Sequence, residues 1–240
     1  MARVTDVDSL WDLISDVGRV VVVTGAGVST GSGIPDFASV DTKWTGRVSR
    51  QDAMTIDFFE AYPAEFWGYY KELFAVKVLN SLVPCGAHKF LVELEDVADV
   101  QIFTQNVDGL HSAAGSSNVV ELHGNARGVE CLKCELTFDS VDYLDVELPL
   151  CHGCGGVLKP TVVLFGERSP AYEQMWNAYN GQGVALFMGT SLTVAPISLV
   201  PYHLETFADQ FHRIWWNNVI DERNEFIFHQ VLRDDFSILE

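Results

Sequence analysis

The chain has 240 residues, and 15 Lys and Arg against 33 Asp and Glu give it a formal net charge of −18. A surface this negative repels a phosphate backbone and attracts cations, so direct nucleic-acid binding is not expected, and small molecules or basic protein partners come forward instead. Hydrophobic residues make up 48% and charged residues 20%, a globular composition; a chain of this length buries roughly three quarters of its unfolded surface. The sequence opens without a basic-then-apolar leader, and no apolar run reaches the roughly 18 residues of a membrane span, so a cytoplasmic location without membrane contact is expected.

In chain order, Leu10, Trp11, Leu13, Ile14 and Val17 fall at helical spacing and Gly18 follows as a stop, which predicts a first helix. The run Val20-Val21-Val22-Val23 is β-branched, too short for a helix and apolar on both faces, as a buried parallel strand should be. Similar runs at 100–104, 119–122, 184–188 and 213–216 predict further strands, with helical patterns such as 88–96 between several of them. Alternating strands and helices imply an α/β fold, a doubly wound parallel sheet of Rossmann-like type with right-handed crossovers. Two stretches break the alternation: an aromatic-rich helical segment at 37–80 and a cysteine-bearing segment at 127–158. Both read as insertions that build a smaller lobe, leaving 1–36, 81–126 and 159–240 for the sheet domain.

Thr24-Gly25-Ala26-Gly27-Val28-Ser29 directly follows the first strand. Glycines at a strand-to-helix turn allow backbone amides to approach a pyrophosphate, and the following helix N-terminus adds a favourable dipole. Such a pair also serves as an ordinary tight turn, and its third glycine position is Thr30. Thr104-Gln105-Asn106-Val107-Asp108-Gly109-Leu110-His111 follows another strand; it is either a polar ligand-facing strand end or an Asx turn that caps the next helix. Glu121-Leu122-His123-Gly124 delivers a histidine at a third strand end, where general-base chemistry competes with a structural role.

Cys131 and Cys134 form one C-x-x-C pair, Cys151 and Cys154 another, and 16 residues separate the pairs. That spacing matches a closed, structural four-thiolate zinc site of ribbon type, with Gly153, Gly155 and Gly156 supplying tight turns. His152 reads as a bystander because four thiolates already satisfy the metal, and Cys85 stands apart from both pairs.

These residues together resemble the sirtuins, NAD-dependent protein lysine deacylases, over nearly the whole chain. The matching stretches are Gly25-Ala26-Gly27-x-Ser29-x-x-Ser32-Gly33-Ile34-Pro35-Asp36-Phe37, Thr104 to His111, Glu121 to Gly124, the four cysteines, Lys159-Pro160-x-Val162-Val163-x-Phe165-Gly166-Glu167, and Gly189-Thr190-Ser191-Leu192-x-Val194-x-Pro196. The resemblance implies that NAD is bound by Gly25, Ala26, Gly27, Ser29, Gln105, Gly189, Thr190, Ser191 and an asparagine, Asn217 in preference to Asn218. Asp36 would also bind the cofactor, and Ile34, Phe37, Asn106, Val107 and Asp108 would hold the nicotinamide end, with Asn106 and Asp108 serving catalysis beside His123 as general base. Val163, Phe165, Gly166, Glu167 and Val194 would border a channel where an acylated lysine peptide adds as an extended strand, although plain core packing competes for Val163 and Val194.

The implied reaction begins with attack of the acyl-lysine carbonyl oxygen on the anomeric carbon as nicotinamide leaves. His123 then takes a ribose hydroxyl proton, and the products are lysine, nicotinamide and O-acetyl-ADP-ribose. An NAD-consuming ADP-ribosyltransferase or hydrolase on the same fold is the rival. No Tyr-x-x-Arg pair of desuccinylating sirtuins occurs between residues 37 and 75, which favours acetyl or another neutral acyl group. The acidic balance implies acetylated substrates with basic flanks.

Three positions depart from the family. Ala38 stands where arginine is usual, Cys85 follows Pro84 where asparagine is usual, and Thr161 follows Pro160 where aspartate is common. Losing a charge-assisted hydrogen bond of about 1.5–3 kcal/mol at residue 38 is expected to reduce binding or rate roughly ten- to a hundredfold, unless Arg47 or Arg50 substitutes.

Overall fold

The computed structural model describes residues 3–34, 46–73, 81–207 and 210–239. Helix α1 (Val7–Val17) begins at a reciprocal cap in which the Ser9 amide donates to the Asp6 carboxylate at 2.9 Å and the Asp6 amide donates to Ser9 Oγ at 3.1 Å. It leads into β1 (Arg19–Thr24), and the chain then passes through α2 (Arg50–Ala53), α3 (Ile56–Ala61), α4 (Pro63–Leu73), α5 (Gly86–Leu94), β2 (Asp99–Thr104), α6 (Leu110–Ala114) and β3 (Val119–Glu121). Three short strands follow, β4 (Gly128–Cys131), β5 (Thr137–Asp139) and β6 (Leu158–Pro160). The last part runs α7 (Ala171–Ala178), β7 (Gly183–Met188), α8 (Val200–Phe207), β8 (Phe211–Trp216), α9 (Glu222–Glu225) and β9 (Gln230–Leu232).

Six strands form one parallel sheet in the order β3-β2-β1-β7-β8-β9. The valine run of β1 has every side chain buried because the sheet is covered on both faces. Val20 and Val22 join Leu10, Ile14, Phe90 and Leu94 on the α1/α5 face, whereas Val21 and Val23 join Met175, Ala178 and Leu204 on the α7/α8 face. Each such side chain contributes roughly 1.5–3 kcal/mol by leaving water.

A separate antiparallel sheet, β5-β4-β6, carries the cysteine pairs. A third core joins it to the aromatic helices: Phe59, Phe66, Trp67 and Tyr70 pack with Val129, Cys131, Leu158 and Leu164, and Trp67 Nε1 donates to the Leu158 carbonyl at 2.9 Å. Two sequence segments about sixty residues apart thus bury one apolar surface together. Among the described residues, no helix is long and apolar enough to cross a membrane.

Three local expectations are corrected. Residues Ala26–Ser32 form a 3₁₀ helix rather than an α-helix, so the glycine turn lacks the long aligned helix that would supply a strong dipole. The sheet has a sixth strand, β9, that no apolar run announces. Helix α5 starts two residues before the predicted 88–96 pattern and ends two residues earlier.

Candidate active site

Strand register gathers the polar motifs. Thr24 pairs with Thr104 on one side and Met188 on the other, Thr104 pairs with Glu121, and Met188 pairs with Trp216. The residues that follow these positions, Gly25, Gln105, Leu122 with His123, Gly189 and Asn217, therefore share one carboxyl edge, where the sheet's winding reverses at β1 and open α/β sheets bind ligands.

The glycines at this edge serve close packing. The Gly25 amide donates to the Met188 carbonyl at 3.1 Å and the Gly27 amide to the Gly189 carbonyl at 2.9 Å. A Cβ on Gly27 would lie 2.8 Å from Gly189 O, and one on Gly189, at φ +64°, would lie 2.5 Å from the Val28 nitrogen. Both amides are thus engaged within the chain, at the junction of the turn with the end of β7.

A polar chain crosses the site. Ser29 Oγ donates to Asp108 Oδ2 at 2.8 Å and accepts from Asn106 Nδ2 at 3.0 Å; the same Asn106 amide donates to Gly25 O at 3.1 Å. Asp108 Oδ1 accepts from the Leu110 amide at 2.9 Å, so the Asx cap and the ligand-facing carboxylate are one residue, and Arg127 Nε holds the Asp108 carbonyl at 3.0 Å. Gln105 Nε2 donates to Thr190 Oγ1 at 2.9 Å and Thr24 O at 3.2 Å. Asn217 is buried and its Nδ2 donates to Val219 O at 2.6 Å, while Asn218 is exposed. Ser191 lies exposed with Oγ 2.9 Å from Thr193 Oγ1.

Behind Ser29 lie Cys85 and His88, neither foreseen as part of the site. The Cys85 amide donates to His88 Nδ1 at 3.3 Å, so His88 carries its proton on Nε2 and donates to Ser29 Oγ at 3.4 Å. The Cys85 thiol donates to Val28 O at 3.1 Å, and its sulfur lies 3.3 Å from His88 Nδ1. Cys85 thus lies three contacts behind Asp108, through His88 and Ser29.

His123 Nδ1 lies 2.9 Å from the Gln105 carbonyl, which can only accept; Nδ1 therefore bears the proton and Nε2 presents its lone pair, toward Tyr172 Oη at 2.7 Å. Burial holds the imidazole below its ordinary pKa of 6.5, so the ring is neutral at pH 7. Neither His88 nor Tyr172 is signalled by any local pattern; they reach Ser29 and His123 from 59 and 49 residues away.

The channel residues are already partly engaged. The Val163 amide donates to His123 O at 2.8 Å. Phe165 is exposed, yet its amide donates to Met54 O and its carbonyl accepts from the Ile56 amide, both at 3.0 Å, so its backbone pairs with the helical insert. Glu167 accepts from the Leu164 amide at 2.7 Å and faces the buried Lys159 ammonium at 3.1 Å. Val194 is exposed. Val107 packs on the third core, and Gly166 adopts φ +95°.

Asp36, Phe37 and Ala38 lie outside the described residues, whereas Ile34 donates its amide to Ser29 O at 3.4 Å. Arg47 forms a bidentate pair with Glu65 at 2.6 and 2.7 Å, which commits it to the small sheet's helices. Thr161 Oγ1 donates to Asn125 O at 2.6 Å.

The four cysteine sulfurs lie within 4.8 Å of one another, with Cys131–Cys154 at 3.4 Å and Cys134–Cys151 at 3.5 Å. Thiolates about 2.3 Å from a tetrahedral zinc lie about 3.8 Å apart, so the donor set fits the ion. Both knuckles fold alike: Glu135 and Gly155, each four residues after its first cysteine, have φ of 61° and 71° and donate back to Cys131 O and Cys151 O at 2.8 Å. His152 lies edge-on to Phe138 and tilted against Tyr143 and is not part of the sulfur cluster.

A doubly wound sheet with a polar switch-point crevice, joined to a four-cysteine ribbon, defines the class: an α/β nucleotide-site protein with a metal-ribbon lobe. The Sir2 family description matches residues 25–196, and the chain belongs to that family. It is 42% identical over 194 residues, 80% of this chain and 79% of the relative, to a protein of Chromobacterium violaceum named NAD-dependent protein deacetylase. A solved Sir2 homologue in complex with NAD superposes with TM-score 0.82 at 30% identity, covering 100% of this chain and 93% of that one. A Sir2 structure holding an inhibitor, 2′-O-acetyl-ADP-ribose and a deacetylated p53 peptide superposes with TM-score 0.77 at 32% identity, covering 96% and 94%.

Proposed function

We propose that this chain is an NAD-dependent protein deacetylase acting on acetyl-lysine peptides or proteins. One observation carries the reading: His123, with its proton on Nδ1 and Nε2 left unprotonated as the basic atom, follows the strand beside the one that delivers Gln105, Asn106 and Asp108. The relative named NAD-dependent protein deacetylase and the Sir2 structures with NAD and acetyl-ADP-ribose support it. When bound, NAD supplies a glycosidic bond whose nicotinamide can leave. Asn106 and Asp108 orient the nicotinamide end, with Ile34 and Val107 beside them. Gln105, Ser191 and Asn217 face the ribose and phosphate portions, and Thr190 holds Gln105 in place. His123 Nε2 takes a ribose hydroxyl proton, and the Gln105 carbonyl steadies the imidazolium through Nδ1–H. The peptide lies along Val163 to Glu167 and Val194. With a net charge of −18, the enzyme favours peptides with basic flanks. The organisation that goes with this reading is a sheet domain, 1–36, 81–126 and 159–240, and a small lobe from 37–80 and 127–158.

His123→Ala tests the assignment. Deacetylation should fall at least about a hundredfold, the usual contribution of general-base catalysis, with NAD affinity little changed. Deacetylation surviving the substitution contradicts the role, and NAD consumption yielding only ADP-ribose or a modified protein favours the transferase or hydrolase rival.

A further inference from the structure

Tyr172, the second residue of α7, is half-buried against the α7/α8 face of the sheet and sets its hydroxyl 2.7 Å from His123 Nε2. The Gln105 carbonyl fixes the His123 proton on Nδ1, so the phenol donates to the Nε2 lone pair. Burial pushes the Tyr172 pKa up to about 12, which keeps it a neutral donor at working pH. An imidazole nitrogen has a single in-plane lone pair. Any substrate hydroxyl that gives its proton to Nε2 must approach along the direction the phenol now occupies, and the two cannot bond there together.

We propose that Tyr172 is a positioning residue of the deacetylation step: it holds the His123 lone pair in the ligand-free protein and competes with the ribose hydroxyl for it, so the base is released only as the site fills. This rests on the reading of His123 as the base. The proton passes from the ribose hydroxyl to Nε2, and no bond to tyrosine is made. Because nicotinamide leaves before that transfer, the competition acts on acetyl transfer and not on nicotinamide departure.

Tyr172→Phe keeps the packed ring and removes the donor. With NAD and an acetyl-lysine peptide, two rates are measured: exchange of labelled nicotinamide into NAD, which reports the first step, and deacetylation, which needs the base. The expected result is exchange within about twofold of wild type and deacetylation raised about three- to tenfold, the scale of one net hydrogen bond. Deacetylation that falls while exchange holds would make Tyr172 a helper and overturn the proposal, as would an unchanged ratio of the two rates. The ¹⁵N shift of His123 Nε2 in the ligand-free, neutral state gives a readout independent of activity. In Tyr172→Phe it should move toward that of an unbonded pyridine-type nitrogen, and no movement overturns the proposal. A wild-type chain that shows neither reaction overturns the deacetylase reading and the competition with it; a nitrogen shift that still responds would separate that failure from an absent contact.

Discussion

Ser29 and Asp108, 79 residues apart in the chain, share a buried 2.8 Å hydrogen bond that ties the turn after β1 to the turn after β2. The same hydroxyl accepts from Asn106 and His88, so one small side chain joins three polar residues at the sheet's carboxyl edge. Ser29→Ala leaves buried partners unmatched at a cost of about 1–3 kcal/mol, or a Tm lower by roughly 2–12 °C. Thermal melts should show that loss together with a higher KM for NAD; a variant melting like wild type would show that the chain of contacts holds nothing in place.

Gly27 meets Gly189 backbone to backbone. Gly27→Ala sets a methyl 2.8 Å from Gly189 O, and the backbone must shift to admit it. Overpacking of this kind costs about 1–3 kcal/mol. NAD titration of the variant should show weakened binding, and wild-type affinity with wild-type Tm would contradict the close approach.

Burial lowers the His123 pKa, and the neutral ring is the working form. The acid limb of kcat/KM should therefore fall below pH 6.5, with activity level from there toward pH 8. A limb centred above pH 6.5 would contradict the buried, neutral base.

How far the sequence reveals this molecule depends on how local each cause is. The valines of β1 announce a strand because both faces are buried, and the paired cysteines announce a ribbon because metal chemistry fixes their spacing. The edge strand β9 carries only three residues, Gln230–Leu232, and offers no periodicity to read. Motif glycines suggest a ligand cradle, but no local pattern shows that Gly25 and Gly27 also pack against the residues that end β7. Tyr172 lies beyond local reading because its contact with His123 exists only in the fold, and Cys85 joins the site only because its helix neighbour His88 reaches Ser29 from 59 residues away.

The sulfur cluster makes a separate claim. Protein purified without chelator should contain about one zinc per chain, and stripping it should cost the packing of Cys131 and Cys151 with Phe66 and Trp67, read as a lowered Tm and altered tryptophan fluorescence. Markedly less than one zinc per chain would contradict the four-thiolate site.

The central claim, that this chain moves an acetyl group from lysine onto the ribose of NAD, is tested most directly by stoichiometry. Wild-type protein, NAD and an acetyl-lysine peptide are incubated and every product is weighed by mass spectrometry. The account predicts nicotinamide, deacetylated peptide and O-acetyl-ADP-ribose in equal molar amounts; free acetate with intact NAD, or ADP-ribose with the peptide still acetylated, would contradict it.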